Sequence, residues 1–575
     1  MKFELINPIK FDSVQEQILY NRGIIDAKHY LNTTDDDIYD PLLLKNVRRG
    51  AEILLKHIGQ NSKIYMLIDP DCDGITSSAL FLNYLHKLVP NFVENNIIYE
   101  FPPGKEHGIQ PVRVPNDVGL VVLIDSSSNS YDELEYLSAH GVDAIVLDHH
   151  EASEESQYAC IINNQLCDYP TKSLSGVGIV YKFCSYLDQL GNTNYAESLL
   201  DLVSLGCIAD VMNLRENYEI WHLVSKGLKQ IQNPFFAEMV EKQSFFLGDF
   251  VSPFGIAFYI APYVNATIRV GTQEEKLLLF ESMLDYRGNE LIPSTKRGCK
   301  GQTEKRVTQA CRNCSNIKNK QTKARDDGLE IIKAQIEEEN LLENKVLIIK
   351  LKQEYGIKNT LTGLIANQLM SEYKRPVLLL NETETGWAGS VRAPGQIEIE
   401  NFREFIENSG LVDFAQGHAS AFGVSISVNN IEALNNYFNE TLKDLDFSPR
   451  YFVDFIYDGF NFNGNDIIKI AELDSIWAQD SELPLIAIKD IKLTKDNVEL
   501  MSPDSKPTLK IKLPNGVQLI KFKSSYEEYN SLCSELGCVT INIIGKAERN
   551  IWNGNINPQI IIKDYTIEQK LEYYF

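Results

Sequence analysis

Three short apolar segments of the sequence each run directly into acidic residues or histidines. The segments are KIYMLID (63–69), VGLVVLID (118–125) and AIVLDHH (144–150). The acids and histidines at or just after their ends are Asp69, Asp71, Asp73, Asp125, Asp148, His149 and His150. Carboxylate-rich ligation with some imidazole suits Mn²⁺ or Mg²⁺ better than a structural zinc ion. The pattern therefore predicts a site for divalent metal ions.

The three segments are expected to be strands of one parallel sheet, because nearly continuous apolar runs are typical of strands buried on both faces. Ligand sites in open α/β sheets form at the carboxyl ends of the strands, where these polar clusters lie. Six or more such groups in one crevice repel one another unless cations neutralise them. A pair of divalent ions roughly 4 Å apart can bind a phosphate and activate a water molecule. The predicted chemistry is phosphoester hydrolysis, and no Ser or Cys nucleophile constellation in the sequence competes with it.

Each cluster taken alone has another interpretation. The pattern D-x-D-x-D-G also opens an EF-hand calcium loop, but that loop needs a bidentate Glu at its twelfth position. Counted from Asp69, the twelfth residue is Leu80. An isolated Asp125 is what the N-cap of a helix often looks like. The occurrence of all the clusters in order, each at the end of a strand, favours the metal site.

The wider pattern predicts a doubly wound α/β domain, a second α/β domain and a strand-rich end. Apolar strands alternate with segments of helical period, such as TSSALFLNYLHKLV (76–89). The first sixty residues and the region 176–335 also have helical patterns. A second α/β unit begins at VLIIKL (346–351), and the residues after about 450 predict a small β-barrel.

The composition is that of a folded protein with an acidic balance. Apolar residues make up 44% and charged residues 23% of the 575 residues, and the net charge is −24. This length predicts about three domains. The charge excludes a protein that coats nucleic acid by bulk electrostatics, but it allows an enzyme that grips DNA in a local groove. The sequence contains no export signal and no apolar window of membrane-spanning length, so we expect a cytoplasmic protein with ten reduced cysteines.

One basic segment stands out from this acidic background. Residues 287–325 contain eleven Lys and Arg residues but only two acids, Glu290 and Glu304. Such a run is typical either of a solvated helix or loop face, or of a positive rim that feeds a nucleic-acid strand toward the metal site. The segment also contains cysteines, but no suitably spaced fourth ligand follows them, which disfavours a zinc site. These cysteines are Cys299, Cys311 and Cys314.

The motifs DPDCDGITSSAL, LID, VLDHH and SLGCIADVMNL resemble the metal-binding motifs of the DHH phosphoesterase family. On that resemblance, Asp210 joins the seven residues above as a metal ligand or an immediate neighbour of one. The resemblance leaves open whether His150 binds metal or instead positions and protonates the substrate. It implies two divalent ions, Mn²⁺ or Mg²⁺, as cofactors.

Further segments are similar to RecJ exonucleases in particular, and together they cover nearly the whole chain. They are NRGI with DPLLL near the N-terminus, PTKSLSGVGIVYKF, IAPYVNATIRVG, GWAGSVRAPG, AQGHASAFG and GKAERNIWNGNINPQIIIKDY. On this resemblance the residues implied in binding nucleic acid or phosphate are Asn265, Arg269, Ser390, Arg392, Gly417, His418 and Trp552. The domains implied are 1–225 (DHH domain with a helical N-terminal extension), 226–335 (helical connector with the basic insert), 336–445 (DHH-associated domain) and 446–575 (OB-like single-strand-binding domain).

The sequence also departs from the RecJ pattern. An Arg and a Gly-Tyr-Gly turn usually follow the second strand, whereas this chain reads PPGKEHGI, so Lys105 or His107 must serve in 5′-phosphate capture. Thr267 and Ile268 stand where small residues are typical, and the basic insert is unfamiliar. The departures suggest a divergent member, of the kind that a phage or prophage carries.

The resemblance implies an exonuclease that threads single-stranded DNA, 5′ end first, through a channel between two domains that is too narrow for a duplex. A single-strand-binding protein or a helicase is the expected protein partner, and no membrane is involved. Three alternatives remain: a DHH phosphodiesterase of short oligonucleotides or cyclic dinucleotides, a non-catalytic replication or repair scaffold, and a plain single-strand-binding module. The C-terminal domain disfavours the first, and the full set of acids and histidines disfavours the second.

Overall fold

The structure is a computed structural model that describes residues 1–102, 108–152, 154–248, 250–394, 399, 401–445, 447, 450–479, 482–502, 506–533, 537–552 and 555–572. Of residues 552 and 570–572 it describes the backbone alone. The chain divides into two compact units. The larger unit comprises Phe11–Lys318 and Glu472–Leu483, and the smaller unit comprises Met1–Lys10, Asn319–Ala471 and Pro484–Phe575.

Among the described residues, fourteen α-helices and eight strands precede the long helix that begins at residue 306. The strands are β1 (Lys2–Leu5), β2 (Lys63–Ile68), β3 (Ile97–Glu100), β4 (Val118–Ile124), β5 (Asp143–Asp148), β6 (Cys160–Asn163), β7 (Leu291–Pro293) and β8 (Thr303–Lys305). The helices are α1 (Val14–Asn21), α2 (Ala27–Leu31), α3 (Val47–Gly59), α4 (Cys72–Leu88), α5 (Pro90–Asn96), α6 (Tyr131–Ala139), α7 (Gly176–Gly191), α8 (Leu200–Ala209), α9 (Tyr218–Lys229), α10 (Pro234–Lys242), α11 (Ser244–Leu247), α12 (Pro253–Tyr259), α13 (Ala261–Val270) and α14 (Gln273–Ser282).

The larger unit is built on a five-stranded parallel sheet with the strand order β3-β2-β4-β5-β6. This is the order of a doubly wound sheet, in which the chain changes its direction of travel across the sheet between β2 and β4. The predicted doubly wound fold and its three apolar strands are confirmed. The two other strands, β3 and β6, were not predicted because each is only four residues long.

The strands are apolar on both faces because helices cover both. One face carries Tyr65, Leu67, Val121 and Leu123, which pack with Leu134 and Leu137 of α6. Helices α4 and α7 contact the sheet as well. Such burial drives folding by roughly 25 cal/mol for each Å² of apolar surface removed from water. The core therefore fixes the carboxyl ends of β2, β4 and β5 relative to one another.

A buried ion pair joins α7 to α9 within the same unit. Lys182 Nζ lies 2.5 Å from Glu219 Oε1, and both side chains are fully buried. Tyr169 and Thr171 donate hydroxyl hydrogen bonds to the Glu219 carboxylate, and Lys182 donates to the carbonyl oxygen of Tyr39. A buried pair needs such additional hydrogen bonds, because removal of the two charges from water is costly. The network holds the helix whose first turn reaches the site described below.

The smaller unit contains the remaining elements and part of the long helix. They are α15 (Arg306–Glu338), β9 (Leu347–Leu351), α16 (Asn359–Tyr373), β10 (Val377–Glu382), β11 (Gly386–Arg392), α17 (Phe402–Glu407), β12 (Phe414–Gly417), β13 (Ala421–Ser427), α18 (Ile431–Thr441), β14 (Arg450–Val453), β15 (Phe455–Asp458), α19 (Gly464–Glu472), β16 (Ile486–Leu493), β17 (Val498–Met501), β18 (Thr508–Lys512), β19 (Gln518–Lys521), α20 (Tyr526–Leu532), β20 (Gly537–Trp552) and β21 (Asn555–Glu572). Residues of α15 up to Lys318 and the final residue of α19 belong to the larger unit.

Two sheets organise the smaller unit. The first has the order β12-β13-β11-β10-β9, with apolar clusters on both faces, and it confirms the predicted second α/β fold. The second has the order β15-β16-β20-β21-β19-β18-β17, and its strands are consistent with the predicted OB-like domain. In the described part of the chain β15 and β17 remain its edge strands, so no closed barrel is seen there. Strand β1 pairs in parallel with β14.

The helical pattern predicted for residues 176–335 is also found, from α7 to α15, with one exception. The antiparallel hairpin of β7 and β8 interrupts it. Within the described ranges, no helix combines the length and the apolar character that a membrane crossing requires.

Candidate metal centre

The acids and histidines singled out in the sequence converge at the carboxyl edge of the parallel sheet. Their ligand atoms form three groups in which all atoms lie within 4.8 Å of one another: Asp69 with Asp71 and Asp125, Asp73 with His149 and Asp210, and Asp125 with His149 and His150. Because Asp125 and His149 each belong to two groups, the three groups form one continuous site. We call it the acidic centre.

His149 lies in the middle of the acidic centre. Its Nε2 atom is 3.2 Å from Asp125 Oδ1, 3.4 Å from Asp210 Oδ2 and 3.9 Å from Asp73 Oδ2. Burial lowers the pKa of His149 to about 4, and the charge of His150 acts in the same direction. The imidazole is therefore neutral near pH 7, which is the form that binds a metal ion.

The fold places these groups between β2 and β4, where the chain changes its direction of travel across the parallel sheet. Asp71 caps α4 and accepts a hydrogen bond of 2.8 Å from the backbone N–H of Gly74. Asp125 directly follows β4 and has a φ of +62°, in the left-handed region. A non-glycine residue there is strained, and such strain is concentrated at functional sites. The strained turn aims the Asp125 carboxylate back into the crevice, where its ligand atom joins two of the three groups.

Asp73 shows that the acidic centre is arranged for a cation. Its Oδ1 accepts hydrogen bonds from the Ser175 hydroxyl at 2.9 Å and from the backbone N–H of Val177 at 3.2 Å. Its other oxygen, Oδ2, and Oδ1 of Asp125 are buried, and neither makes a hydrogen bond of acceptable geometry with a described residue, although both lie within 4 Å of His149 Nε2. Buried polar atoms are normally paired, so carboxylate oxygens without hydrogen bonds around a neutral imidazole fit a bound metal ion.

Three glycines press against the carboxylates of the acidic centre. A Cβ atom on Gly176 would lie 2.5 Å from Asp125 Oδ1, and one on Gly206 would lie 2.5 Å from Asp73 Oδ1. A Cβ atom on Gly74 would lie 2.6 Å from both the Cβ and the carbonyl oxygen of Asp69. All three distances are far below van der Waals contact. The carboxylates can therefore occupy these positions only because the neighbouring residues lack side chains.

The electrostatics of the acidic centre are unfavourable in the absence of a cation. Burial raises the pKa of Asp73 to about 8, and the nearby charges of Asp210 and Asp71 contribute to the rise. Burial and the charge of Asp71 raise the pKa of Asp210 to about 6. Burial and the charge of Asp73 raise the pKa of Asp125 well above its ordinary value. Divalent cations would remove this penalty, since opposite charge favours the ionised carboxylate.

Asp148 differs from the other acids because both of its oxygens are hydrogen-bonded. Oδ1 accepts from the His150 ring Nδ1 at 2.8 Å and from the backbone N–H of His149, and Oδ2 accepts from the backbone N–H of Ser128. Although burial opposes it, these bonds and the charge of His150 lower the pKa of Asp148. The bond to Asp148 raises the pKa of His150 to about 9. Asp148 therefore orients the two histidines, and His150 is an imidazolium at neutral pH.

A second group of predicted residues lies in the smaller unit, on β11, on β12 and in the turn after β12. Ser390 and Arg392 are on β11, where Arg392 is opposite Ala421 of β13. Gly417, with a φ of +134°, ends β12, and His418 is exposed in the turn that follows. The Arg392 guanidinium donates to the carbonyl oxygen of Val391, and it has no acidic partner among the residues that the structure describes. An arginine in this state is suited to an anion.

Sequence reasoning missed the helix that completes this second group. The hydroxyls of Thr362, on α16, and Ser390 lie 2.9 Å apart. A Cβ atom on Gly363 would lie 2.8 Å from an Arg392 nitrogen. No motif marks these two residues in the sequence. Gly176, by contrast, belongs to the segment PTKSLSGVGIVYKF that the resemblance had already marked, and Gly206 precedes Asp210 in SLGCIADVMNL.

For the other predicted residues, the structure gives a position but no contact that indicates nucleic-acid binding. Asn265 is partly buried and Arg269 is exposed on α13, while Thr267 and Ile268 beside them are buried. Trp552 ends β20, but its side chain lies outside the description. Lys105 and His107 lie outside the described residues. The predicted nucleic-acid and phosphate contacts of all these residues stay predictions.

The cysteines of the basic segment do not form a metal site in the structure. Cys311 and Cys314 are fully buried on α15. Burial raises the pKa of the Cys314 thiol to about 12, which keeps it protonated. Among the described residues, the groups able to hold a metal ion contain no cysteine.

Comparisons with known proteins identify relatives over the whole chain. Residues 63–207 match the family described as DHH family, N-terminal domain. A Bacillus subtilis (strain 168) protein named SPbeta prophage-derived single-strand DNA-specific exonuclease YorK is 36% identical, over 99% of this chain and 98% of that protein. The single-stranded-DNA-specific exonuclease RecJ of the same strain is 25% identical, over 94% of this chain and 66% of that protein. The first relative has the prophage origin that the departures from the RecJ pattern suggested.

Solved structures show the same fold. RecJ from Thermus thermophilus in complex with Mn²⁺ matches with a TM-score of 0.72 and 18% identity, over 99% of this chain and 80% of that one. The Mg²⁺ complex of RecJ from the same organism matches with a TM-score of 0.66 and 18% identity, over 100% of this chain and 79% of that one.

The glycine contacts give a first prediction. In Gly206→Ala the new Cβ atom would displace the Asp73 carboxylate, so we expect Mn²⁺ affinity to fall by roughly 10- to 100-fold, as it does when the support of a metal ligand is lost. Isothermal titration calorimetry measures the affinity. Gly191→Ala is the matched control in a helix, since its Cβ atom would meet nothing closer than 3.6 Å. Equal Mn²⁺ binding by the two variants would contradict the prediction.

The raised carboxyl pKa values predict a pH dependence. The metal-free folded protein holds protons that the unfolded chain has lost, so its stability falls as the pH rises from about 4 to about 8. Metal binding must expel those protons, and Mn²⁺ affinity should therefore rise by about tenfold for each pH unit between pH 6 and 8. Calorimetry in buffers of different ionisation enthalpy counts the protons released. Asp117→Asn, at an exposed position, should leave that count unchanged, and an affinity independent of pH would refute the assignment.

Proposed function

This chain belongs to the RecJ-like family of single-strand-DNA-specific exonucleases within the DHH phosphoesterases, and from that membership we propose that it hydrolyses single-stranded DNA from the 5′ end with the help of two divalent metal ions. The observation that carries the proposal is the pair of buried carboxylate oxygens of Asp73 and Asp125 that lie within 4 Å of the neutral His149 and make no hydrogen bond with a described residue. Mn²⁺ or Mg²⁺ fits this donor set.

The residues that would hold the ions belong to the three groups. They are Asp69, Asp71, Asp73, Asp125, His149 and Asp210; the remaining member of the groups, His150, is assigned a different role below. Bound together, two divalent ions supply an activated water and neutralise the charge that develops on a phosphodiester during hydrolysis. Ser175 and the backbone N–H of Val177 fix one oxygen of Asp73, so that its other oxygen keeps a constant direction. Asp148 orients the two histidines in the same way.

We assign His150 the handling of a proton rather than a purely structural role. Its Nδ1–H is engaged by Asp148, and its side chain is 58% exposed, so Nε2–H is accessible to a bound phosphodiester. With a pKa of about 9 the ring is protonated at neutral pH and can donate a hydrogen bond or a proton to the leaving oxygen. The neutral, buried His149 is suited to metal binding instead.

The smaller unit supports recognition of a phosphate. Arg392 offers a planar fork of donors, and Ser390 and Thr362 offer hydroxyls beside it. Burial lowers the pKa of Arg392, but an arginine stays charged at neutral pH, so the guanidinium is a partly desolvated cation without an acidic partner in the described part of the chain. We propose that these three residues bind a phosphate of the DNA strand, the terminal 5′-phosphate by family analogy.

Two alternatives are less well supported. A phosphodiesterase of very short oligonucleotides would not require the seven-stranded C-terminal sheet, and a non-catalytic scaffold would not require buried, unpaired carboxylates, whose desolvation destabilises the fold. Contact with a single-strand-binding protein or a helicase, and a cytoplasmic location, stay predictions.

A nuclease assay tests the proposal. On a 5′-labelled single strand with Mn²⁺, Asp125→Ala and His149→Ala should lower the cleavage rate by roughly a thousandfold or more, equivalent to about 4 kcal/mol of transition-state stabilisation. Asp117→Ala and His140→Ala remove the same residue types from exposed positions and should cleave like the wild type. Equal activity in all variants, or no activity in the wild type, would reject the enzyme.

A second assay tests the polarity. Blocking the 5′ end should stop degradation, while blocking the 3′ end should not. In Arg392→Lys the charge remains but the fork is lost, so we expect kcat/KM for a 5′-phosphorylated strand to fall by about tenfold. The same variant acting on a 5′-hydroxyl strand is the internal control, because that strand lacks the phosphate. A similar decrease in kcat/KM on both strands would show that Arg392 does not bind the terminal 5′-phosphate.

A further inference from the structure

The basic segment forms a defined protrusion of the larger unit. Strands β7 and β8 pair as an antiparallel hairpin, which we call the basic hairpin (residues 291–305). Its connection contains two successive turns, closed by hydrogen bonds from Cys299 N–H to the Lys296 carbonyl and from Gln302 N–H to the Cys299 carbonyl. The third residue of each turn is a glycine with a φ of +83°, Gly298 and Gly301. The residue before each glycine is a cation, so the turns place cations at both corners.

The charges at the base of the basic hairpin are used within the protein. Arg306 forms ion pairs with Glu281 and Glu290, and Arg287 pairs with Glu281 at 2.5 Å. The Glu304 carboxylate accepts two hydrogen bonds from the Arg312 guanidinium, at 2.5 and 2.7 Å. These arginines are accounted for by anchoring the hairpin to α14 and α15.

The charges at the tip are not used in this way. Lys296, Arg297 and Lys300 lie in the connection at the tip and Lys305 lies on β8 opposite Leu291. All four are exposed, and none has an acidic partner among the described residues. In a chain with a net charge of −24, four unpaired cations on one short hairpin are a local exception. Exposed cations cost little to leave unpaired, but their clustering on an anchored element is what a surface for a polyanion requires.

Hydrogen bonds connect the segment before the basic hairpin to α4, the helix that carries Asp73. The side chain of Asn83, buried on α4, donates to the carbonyl oxygen of Met283 and accepts from the N–H of Asp285, just before the hairpin. Asn83 lies roughly 16 Å along α4 from Cys72, at 1.5 Å for each residue. The segment that leads into the hairpin is therefore bonded to α4 about three helical turns from the end of the helix that carries Asp73.

We propose that the tip of the basic hairpin binds the sugar–phosphate backbone of the DNA strand beyond the nucleotides held at the acidic centre. The inference rests on the proposed function, because that function supplies the polyanion. Lys and Arg contacts to phosphates carry no sequence information, but they hold and orient a strand. An acidic protein would also be attracted to the cations of the tip. We favour the DNA strand because the substrate is present in every turnover and its phosphates are evenly spaced.

The test is the salt dependence of binding. A fluorescent 30-mer of thymidylate is titrated with the full chain in EDTA, so that no cleavage occurs. In the triple variant Lys296→Gln, Arg297→Gln, Lys300→Gln we expect the slope of log K against log salt to decrease in magnitude by about 2, at about 0.7 for each lost phosphate contact, and the affinity at 0.1 M salt to fall by at least about tenfold. The control variant Lys28→Gln, Arg48→Gln, Lys229→Gln removes equal charge from exposed positions on other helices.

The outcomes separate the hairpin from the general function. An unchanged slope in the hairpin variant overturns the inference and leaves an acidic protein as the partner to seek. An equal change in the control variant also overturns it, because bulk charge would then explain the effect. Cleavage of a dinucleotide with Mn²⁺ should stay within twofold of wild type in both variants. If the wild type binds the 30-mer through the hairpin but cleaves nothing, the proposed function fails while the inference stands.

Discussion

The burial of carboxylates that repel one another is the constraint that the fold of the larger unit has to satisfy. Asp73 and Asp125 are almost completely buried, and each has an oxygen that makes no hydrogen bond with a described residue. The apolar strands that carry these acids fold because helices cover both faces of the sheet, and the same coverage removes the acids from water. The energy of folding thus maintains an electrostatic arrangement that is unfavourable by itself. Backbone strain adds to this unfavourable energy, because Asp125 and Val211 both have positive φ values.

The two histidines of the acidic centre differ although they are adjacent in sequence. His149 points into the buried carboxylates and is neutral, whereas His150 is half-exposed, hydrogen-bonded to Asp148 and charged. The turn at the end of β5 thereby gives two residues of the same type, one neutral and one charged, which the proposed function uses as a metal ligand and a proton donor. Environment, rather than residue type, assigns the roles.

The sequence predicted the acidic centre well because its residues follow strands, and strand ends converge by topology. Asp210 ends a helix instead, so only the family resemblance marked it. The supporting contacts were harder to predict: Ser175 and Thr362 act through distant partners, and no periodic pattern records such a contact. The short strands β3 and β6 and the hairpin of β7 and β8 were also not predicted. Three or four residues are too few to show the alternation of apolar and polar residues that marks a strand. Tertiary packing determined all of these features.

The pairing of β1 with β14 has a consequence for how the protein is made. Lys2 is aligned with Arg450, so β1 can pair with β14 only after the 450–453 segment has been synthesised. At common elongation rates that interval is roughly 20 to 90 s. The parallel sheet of the larger unit, whose strands all lie before residue 164, can form during this time. Strand β1 therefore stays unpaired while the parallel sheet of the larger unit can already form, and its pairing with β14 is a late step in the folding of the smaller unit.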